Sequence, residues 1–209
     1  MTVTVDEILV ADPPEAWAAA GFSIDADDVC RVGGVRIRLV GREAGAGIIA
    51  WSLGGADVDD LDGIPTAASQ AAPGAPAEHA NGVTGVDHIV LLSPDLDRTV
   101  TALGAIGLLP RRERLGELGG RPIRQIFFRF GAVIIEAVGS PDTVGQGPST
   151  LWGITYTVTD IDETAAYFAG RTTRVKDAVQ PGRRITTVHH QEFGMSVRTA
   201  MLSAPILST

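Results

Sequence analysis

Two polar residues sit among strand-forming apolar neighbours: His88 in VDHIVLL and Glu136 in AVIIEAV. Side chains alternate along a strand, so His88, Val90 and Leu92 share one face, as do Ile134, Glu136 and Val138. An ionised Glu136 there needs a partner, because an unpaired carboxylate in apolar surroundings is costly or becomes protonated. His88 is the expected partner. The pair can serve as a structural hydrogen bond, as ligands to one divalent metal ion, or as an acid–base couple. The segment IRQIFFRF precedes AVIIEAV across a tight turn at Gly131–Ala132, which sets Phe127 opposite Glu136 and Arg129 near Ile134 on the same face. Arg129 would orient an anionic group of a small-molecule ligand. A second hairpin, RITTVHHQEF and SVRTAML, turns at Gly194–Met195. Its two-residue turn would pair His190 with Thr199 and Glu192 with Val197, bringing His190 and Thr199 to the same site.

The other reactive side chains read as structural. Cys30, the single cysteine, lies in an alternating apolar context as a small buried hydrophobe. Arg31, Arg36 and Arg38 fall on one hairpin face with Glu7, which favours a Glu7–Arg38 ion pair over an anion site. The run DVDDLD at 57–62 lacks the glycine and terminal Glu of a calcium loop, and reads as helix-start acids or a solvated loop. Trp51 and Trp152, near strand starts, read as core. LGELGGRP has no phosphate-loop Lys and no strand-to-helix context.

These residues must be positioned by regular elements, and the chain supplies them twice. After the strand at 86–92, SPDLDRTVTALGAIG has Ser93 as N-cap, Pro94 at the first helical position, and Leu96, Val100 and Leu103 at helical spacing. A strand near 109–114 and the two strands of the first hairpin follow. The order restarts at Gly153: GITYTV, a helix opened by an Asp160–Glu163 capping box, a strand near 173–179, and the second hairpin. Asp95 matches Asp160 and Gly131 matches Gly194, about 65 residues apart, which marks a repeat. A shorter copy opens the chain, with an Asp12–Glu15 capping box, Gly21 as a stop and a hairpin turning at Gly33–Gly34. GIIAWSLGG then starts a further unit. The division is therefore 1–64 for a degenerate βαβββ unit plus one strand, 65–85 for an Ala/Pro/Gly-rich linker with His79 solvated, and 86–209 for a paired-module domain. The fold class is α+β, with repeated βαβββ modules forming cupped mixed sheets.

VDHIVLL followed by SPDLDRTV, with a hairpin ending in IIEAV, resembles the first module of the vicinal oxygen chelate (glyoxalase-like) superfamily. The resemblance covers residues from about 85 to 204 best. It implies paired modules around a cup, with a divalent metal held by a first-strand residue and a last-strand Glu of each module. The matching positions are His88 and Glu136 in the central module, Gly153 and Thr199 in the C-terminal one, and Glu7 and Arg38 in the N-terminal one. The implied activity is lyase or isomerase chemistry on a small polar organic molecule, with metal assistance through His88 and Glu136. A non-catalytic protein that binds or sequesters a small molecule is the alternative. An iron(II) ring-cleaving dioxygenase needs a second first-strand histidine, and position 153 is Gly.

Composition narrows the partners. A formal net charge of −8 over 209 residues disfavours nucleic acid and anionic membrane surfaces, which need a basic footprint. The opening MTVTVDEILV lacks the basic region of a signal or transit peptide, and no apolar run approaches a bilayer span, so a cytoplasmic location is expected. Alone, the N-terminal unit would leave an apolar sheet face uncovered. It is expected to pack on the C-terminal domain or on a second chain, as in a homodimer.

Overall fold

Alternating apolar residues become strands throughout the computed structural model, which describes residues 2–69 and 74–205. The N-terminal unit comprises β1 (Thr4–Val10), α1 (Pro14–Ala19), β2 (Val29–Val32), β3 (Val35–Leu39), β4 (Ile48–Gly54), β5 (Asp60–Leu61) and β6 (Ile64–Ala68). Its six strands run in the order β2-β3-β1-β4-β6-β5. The central module follows with β7 (Val83–Leu92), α2 (Leu96–Ala105), β8 (Arg112–Leu118), β9 (Arg121–Phe130) and β10 (Val133–Gly139). The C-terminal module repeats it as β11 (Thr150–Val158), α3 (Ile161–Tyr167), β12 (Lys176–Asp177), β13 (Arg184–Thr187) and β14 (Arg198–Ser203). The two modules share one curved eight-stranded sheet, ordered β12-β13-β14-β11-β7-β10-β9-β8. In each module the first and last strands are parallel neighbours, and antiparallel β7 and β11 join the halves.

The N-terminal sheet has the same plan in reduced form. β1 lies parallel to β3 and antiparallel to β4, and β4 lies parallel to β6. The truncated second unit thus has three strands where one was expected, and β6 takes the start of the expected linker. Residues 70–73 of that linker lie outside the described residues. The segment after them is docked. His79 Nδ1 accepts from Ser23 N at 3.0 Å, its Nε2 lies 3.2 Å from the Arg31 carbonyl, and the side chain is buried rather than solvated. Asn81 donates to the Ala20 carbonyl at 2.9 Å and is fully enclosed. Polar side chains with matched partners can be buried at little net cost, which a composition argument for a linker misses.

Helix starts depart from expectation in detail. Asp95, not Ser93, caps α2 by accepting from Arg98 N at 3.1 Å, and Pro94 precedes the cap. Asp160 caps α3 as expected, accepting from the backbone of Asp162 and Glu163. Asp12 does not cap α1. It is fully buried and accepts from Trp17 Nε1 at 3.1 Å and from Ser196 N at 2.9 Å. In the acidic run Asp57, Asp59 and Asp60 are exposed as expected, but Asp62 is not. Asp62, in a left-handed turn, accepts from Arg98 Nε at 2.5 Å, Ser149 Oγ at 2.5 Å and the Thr99 hydroxyl. Asp12 and Asp62 thus tie the N-terminal unit to the two modules.

Apolar side chains complete that junction in one continuous core. Trp51 of β4 stacks near Phe130 of β9 with ring centres 5.6 Å apart, and Phe22 packs on Tyr156 of β11 at 5.2 Å. Burying each such side chain contributes about 1.5–3 kcal/mol. Cys30 sits in this core, where burial first and Asp25 second push its thiol up to about 12. On the other face of the small sheet Glu7 pairs with Arg36 at 2.9 Å and with Arg38 at 3.2 Å. Burial opposes the Glu7 charge, but the two guanidiniums outweigh it and hold the carboxyl below its ordinary range. No helix among the described residues is long and apolar enough to cross a membrane.

Candidate functional site

Two β-bulges at the β7–β11 seam shape the concave face. Pairing runs from Thr155↔His88 to Tyr156↔Val86, which leaves Asp87 as an extra residue on β7. It also runs from Leu151↔Leu91 to Gly153↔Val90, which leaves Trp152 as an extra residue on β11. Bulges break the alternation and re-aim side chains. The antiparallel seam relates the modules through Ile89↔Ile154, so Asp87 corresponds to Trp152 and His88 to Gly153. The same structural device therefore precedes the first-strand position in both modules.

In the central module the bulge builds a line of polar contacts. Asp87 Oδ2 accepts from His88 Nδ1 at 2.8 Å, and its Oδ1 lies 2.7 Å from Arg183 Nη1. Arg183, just before β13, is itself fixed to the Ser203 carbonyl at 2.8 Å. Burial raises the cost of the Asp87 charge, yet His88 and Arg183 outweigh it and keep the carboxyl below its ordinary range. A carboxylate only accepts hydrogen bonds, so His88 carries its proton on Nδ1 and turns Nε2 into the cup. His88 Nε2 lies 3.6 Å from Glu136 Oε2. That separation exceeds a direct hydrogen bond and leaves room for an atom to engage both groups. Glu136 Oε1 accepts from Gln125 Nε2, and Gln125 Oε1 accepts from Arg114 Nε at 2.8 Å. Each member of the pair is thus held from behind by a polar residue and then an arginine.

This line crosses the floor of a cavity of about 400 Å³. One wall carries Arg111, Arg112, Arg114 and Phe127, and the opposite wall carries Val179, Ile185 and Leu202. Arg112 sits 6.0 Å from the Phe127 ring centre. Among the described residues neither Arg111 nor Arg112 has a carboxylate partner. The cavity therefore joins a cationic rim to apolar walls.

Next to it on the same face lies a smaller recess of about 150 Å³, lined by Val90, Trp152, Gly153, Thr155, His190 and Arg198. The Arg198 guanidinium stacks 4.7 Å from the Trp152 ring centre. Trp152 is 41% exposed, in contrast to the core position expected for it.

The expected site residues divide accordingly. His88, Glu136 and Phe127 come together, with Phe127 paired to Glu136 across the hairpin as the turn required. Arg129 pairs with Ile134 but is exposed and does not line the cavity, where Arg111, Arg112 and Arg114 stand instead. His190 does not join His88. The second hairpin lacks a two-residue turn, because residues His190–Phe193 form a 3₁₀ turn and pairing begins at Thr187↔Ala200. His190 consequently lines the smaller recess, where burial pulls its imidazole below the ordinary range. Thr199 is fully enclosed, its hydroxyl donating to the Val197 carbonyl at 3.0 Å, and it borders the same recess as His190 between Arg198 and Ala200, away from His88.

Register also reassigns the last-strand position. Glu136 stands opposite Val90, two residues beyond His88, and Ala200 stands opposite Thr155, two residues beyond Gly153. The counterpart of Glu136 is therefore Ala200, not Thr199. Neither Gly153 nor Ala200 offers a donor, and a Cβ built at Gly153 would lie 2.8 Å from the Arg198 carbonyl oxygen. Among the described residues no group of three or more His, Cys, Asp and Glu side chains could hold a metal ion. The donor set does not fit the metal centre that the resemblance implies.

Asp87, Gln125, Arg114 and Arg183 were not singled out by sequence, and Trp152 was read as core. Asp87 and Trp152 depend on bulges, which leave no mark in apolar alternation. Gln125, two residues before Phe127, was within reach of the same alternation argument.

The sequence matches no family model and no curated protein sequence. Solved structures do match. A variant of 4-hydroxymandelate synthase from Streptomyces coelicolor superposes with a TM-score of 0.56 at 14% identity, over 97% of this chain and 92% of that one. A catechol 2,3-dioxygenase gives 0.58 at 12% identity, over 96% and 88%. A xylose isomerase-like TIM barrel/4-hydroxyphenylpyruvate dioxygenase fusion protein gives 0.61 at 13% identity, over all of this chain and 50% of that one. At these identities the likeness concerns the fold alone, and with the paired modules described above it shows that this chain has the glyoxalase-like fold.

Proposed function

We propose that the chain is a proton-transfer enzyme, of isomerase or lyase type, acting on a small organic molecule whose reacting C–H bond lies beside a carbonyl. The observation that carries this reading is the Asp87–His88–Glu136 line, with His88 Nε2 3.6 Å from Glu136 Oε2. Asp87 fixes the tautomer and stabilises the imidazolium that forms when His88 Nε2 accepts the substrate proton. Glu136, steadied by Gln125, supplies a second proton-accepting or proton-returning group on the same side. The rim arginines favour an anionic molecule and the enolate charge that develops on proton removal. Neither step needs a metal ion, in keeping with the poor donor set.

The test is exchange of substrate C–H for deuterium in D₂O, followed by NMR with pyruvate, 2-oxobutyrate, acetoacetate and phenylpyruvate. At least one is expected to exchange in a protein-dependent way, with the rate falling about 10²–10⁴-fold in His88→Ala and Glu136→Gln. Binding without exchange across the panel would overturn the enzyme reading. It would favour a sequestering protein, for which the apolar cavity walls would suffice.

A further inference from the structure

The modules are related through the β7–β11 seam, yet the second half of the cup carries none of the acid–base groups of the first. Gly153 replaces His88, Ala200 replaces Glu136, Arg198 replaces Ile134 and Trp152 replaces Asp87 in the equivalent positions. Three acid–base groups thus give way to two small residues and an aromatic ring, and a guanidinium stands where the first half has Ile134. Gly153 lets the β14 backbone and Arg198 Cβ close over the former side-chain position, at 2.8 and 3.1 Å from where a Cβ would stand. That places Arg198 at the recess. The bulge keeps Trp152 out of the core and against the guanidinium at 4.7 Å.

Arg198 has no carboxylate partner among the described residues. A guanidinium stacked on an aromatic face keeps its in-plane N–H donors and is pre-organised to hold a carboxylate through two parallel hydrogen bonds. Apart from His190, the remaining walls are small or apolar, from Val90, Thr155 and Ala200, and about 150 Å³ suits one ring-sized fragment. The N-terminal unit braces this region from behind. Asp12 accepts from Ser196 N at 2.9 Å, Gly47 N donates to Ser196 Oγ at 2.7 Å, and Arg42 donates to the Gly194 carbonyl. These contacts fix the chain between His190 and Arg198.

We infer that the Trp152–Arg198 recess is a second subsite of the cup, which reads a planar carboxylate group of the ligand. The inference rests on the reading of the cup as a small-molecule site, but not on the chemistry of His88 and Glu136. The recess abuts the larger cavity through His88↔Thr155, so one molecule can present its reacting carbon to His88 and its carboxylate to Arg198.

Fluorescence offers a direct test, because Trp17 and Trp51 are fully buried and Trp152 is the exposed tryptophan. Benzoate is the probe and benzamide its neutral counterpart. Benzoate is expected to change the emission saturably, with Kd raised at least tenfold in Arg198→Ala and benzamide at least tenfold weaker than benzoate. Glu136→Gln should leave benzoate affinity within about twofold, which separates this subsite from the proton-transfer reading. In Trp152→Phe the emission change should vanish while calorimetry still detects benzoate. Equal binding of benzamide, or benzoate binding kept in Arg198→Ala and lost in Arg112→Ala, would overturn the proposal. Arg198 is exposed, so its truncation should leave thermal unfolding unchanged.

Discussion

Arg183 and Asp87 form a buried ion pair at 2.7 Å that joins the two modules, with side-chain exposures of only 6% and 9%. Asp87 meets His88 with its other oxygen. The pair therefore fixes a tautomer as well as a contact between strands.

The first prediction follows from that coupling. Asp87→Asn keeps the shape but removes the charge, leaving Arg183 buried without its counter-ion. Breaking one side of a buried pair costs about 3–5 kcal/mol. The variant is expected to lose stability on that scale, measured by denaturant unfolding. Its His88 should also no longer carry the proton solely on Nδ1, read from ¹⁵N shifts of the ring. A ring that keeps the Nδ1–H form in the variant would show that Asp87 does not set the tautomer.

A second prediction concerns metal. His88 and Glu136 are two donors, and their counterparts Gly153 and Ala200 add none. Purified protein is expected to hold divalent metal well below one equivalent, and chelation should shift neither melting temperature nor benzoate affinity. Stoichiometric zinc, iron or manganese that disappears in Glu136→Gln would contradict this.

The residues explain which parts of this architecture were legible from sequence. The repeat was visible because helix starts and tight turns use few residue types. Asp95 and Asp160 both cap helices, and Gly131 turns the first hairpin with positive φ. With that turn fixed, Phe127, His88 and Glu136 fell on one face by counting. The second hairpin failed the same counting because Gly194 ends a 3₁₀ turn instead of a β-turn, which put Ala200 rather than Thr199 in the position equivalent to Glu136. Asp87 and Trp152 were illegible for a related reason: a bulge is a choice between two strands, made by pairing rather than by either sequence. His79 was misread because its partners, Ser23 and Arg31, lie more than 45 residues away.

The third prediction is a pH dependence. His79 Nδ1 accepts from Ser23 N while Nε2–H faces the Arg31 carbonyl, so the neutral ring is the one that fits. Burial lowers its folded-state affinity for a proton, against a partial opposing effect of that carbonyl. Below the ordinary value of 6.5 the unfolded chain takes up a proton that the folded chain resists. Stability should therefore fall as pH drops from 7 toward 5, by at most about 1.4 kcal/mol per pH unit from this group. His190, also lowered by burial, adds a contribution of the same sign. His79→Gln is expected to be less stable at pH 7 and to show a flatter profile between pH 7 and 5. An unchanged slope in chemical denaturation would remove His79 as the cause.

The last prediction tests how the N-terminal unit is fastened to the central module. Asp62 has a side chain only 2% exposed, and it gathers Arg98, Thr99 and Ser149 from α2 and the approach to β11. Its own carbonyl accepts from Ser149 N at 2.9 Å, so backbone and side chain grip the same residue. Arg98 is 39% exposed, and solvent reduces the value of its charge. The Thr99 and Ser149 hydroxyls are buried; Thr99 keeps the Asp95 carbonyl at 3.1 Å when their shared acceptor is lost, whereas Ser149 must find another partner. An unsatisfied buried group costs about 1–3 kcal/mol, so Asp62→Ala should lower stability by about 2–4 kcal/mol. Thr99→Val should cost less, because Asp62 keeps two of its donors. Since both changes remove the same contact, the double variant should be more stable than the sum predicts by about 0.5–3 kcal/mol. Strict additivity in urea unfolding would show that Thr99 and Asp62 do not act as one unit.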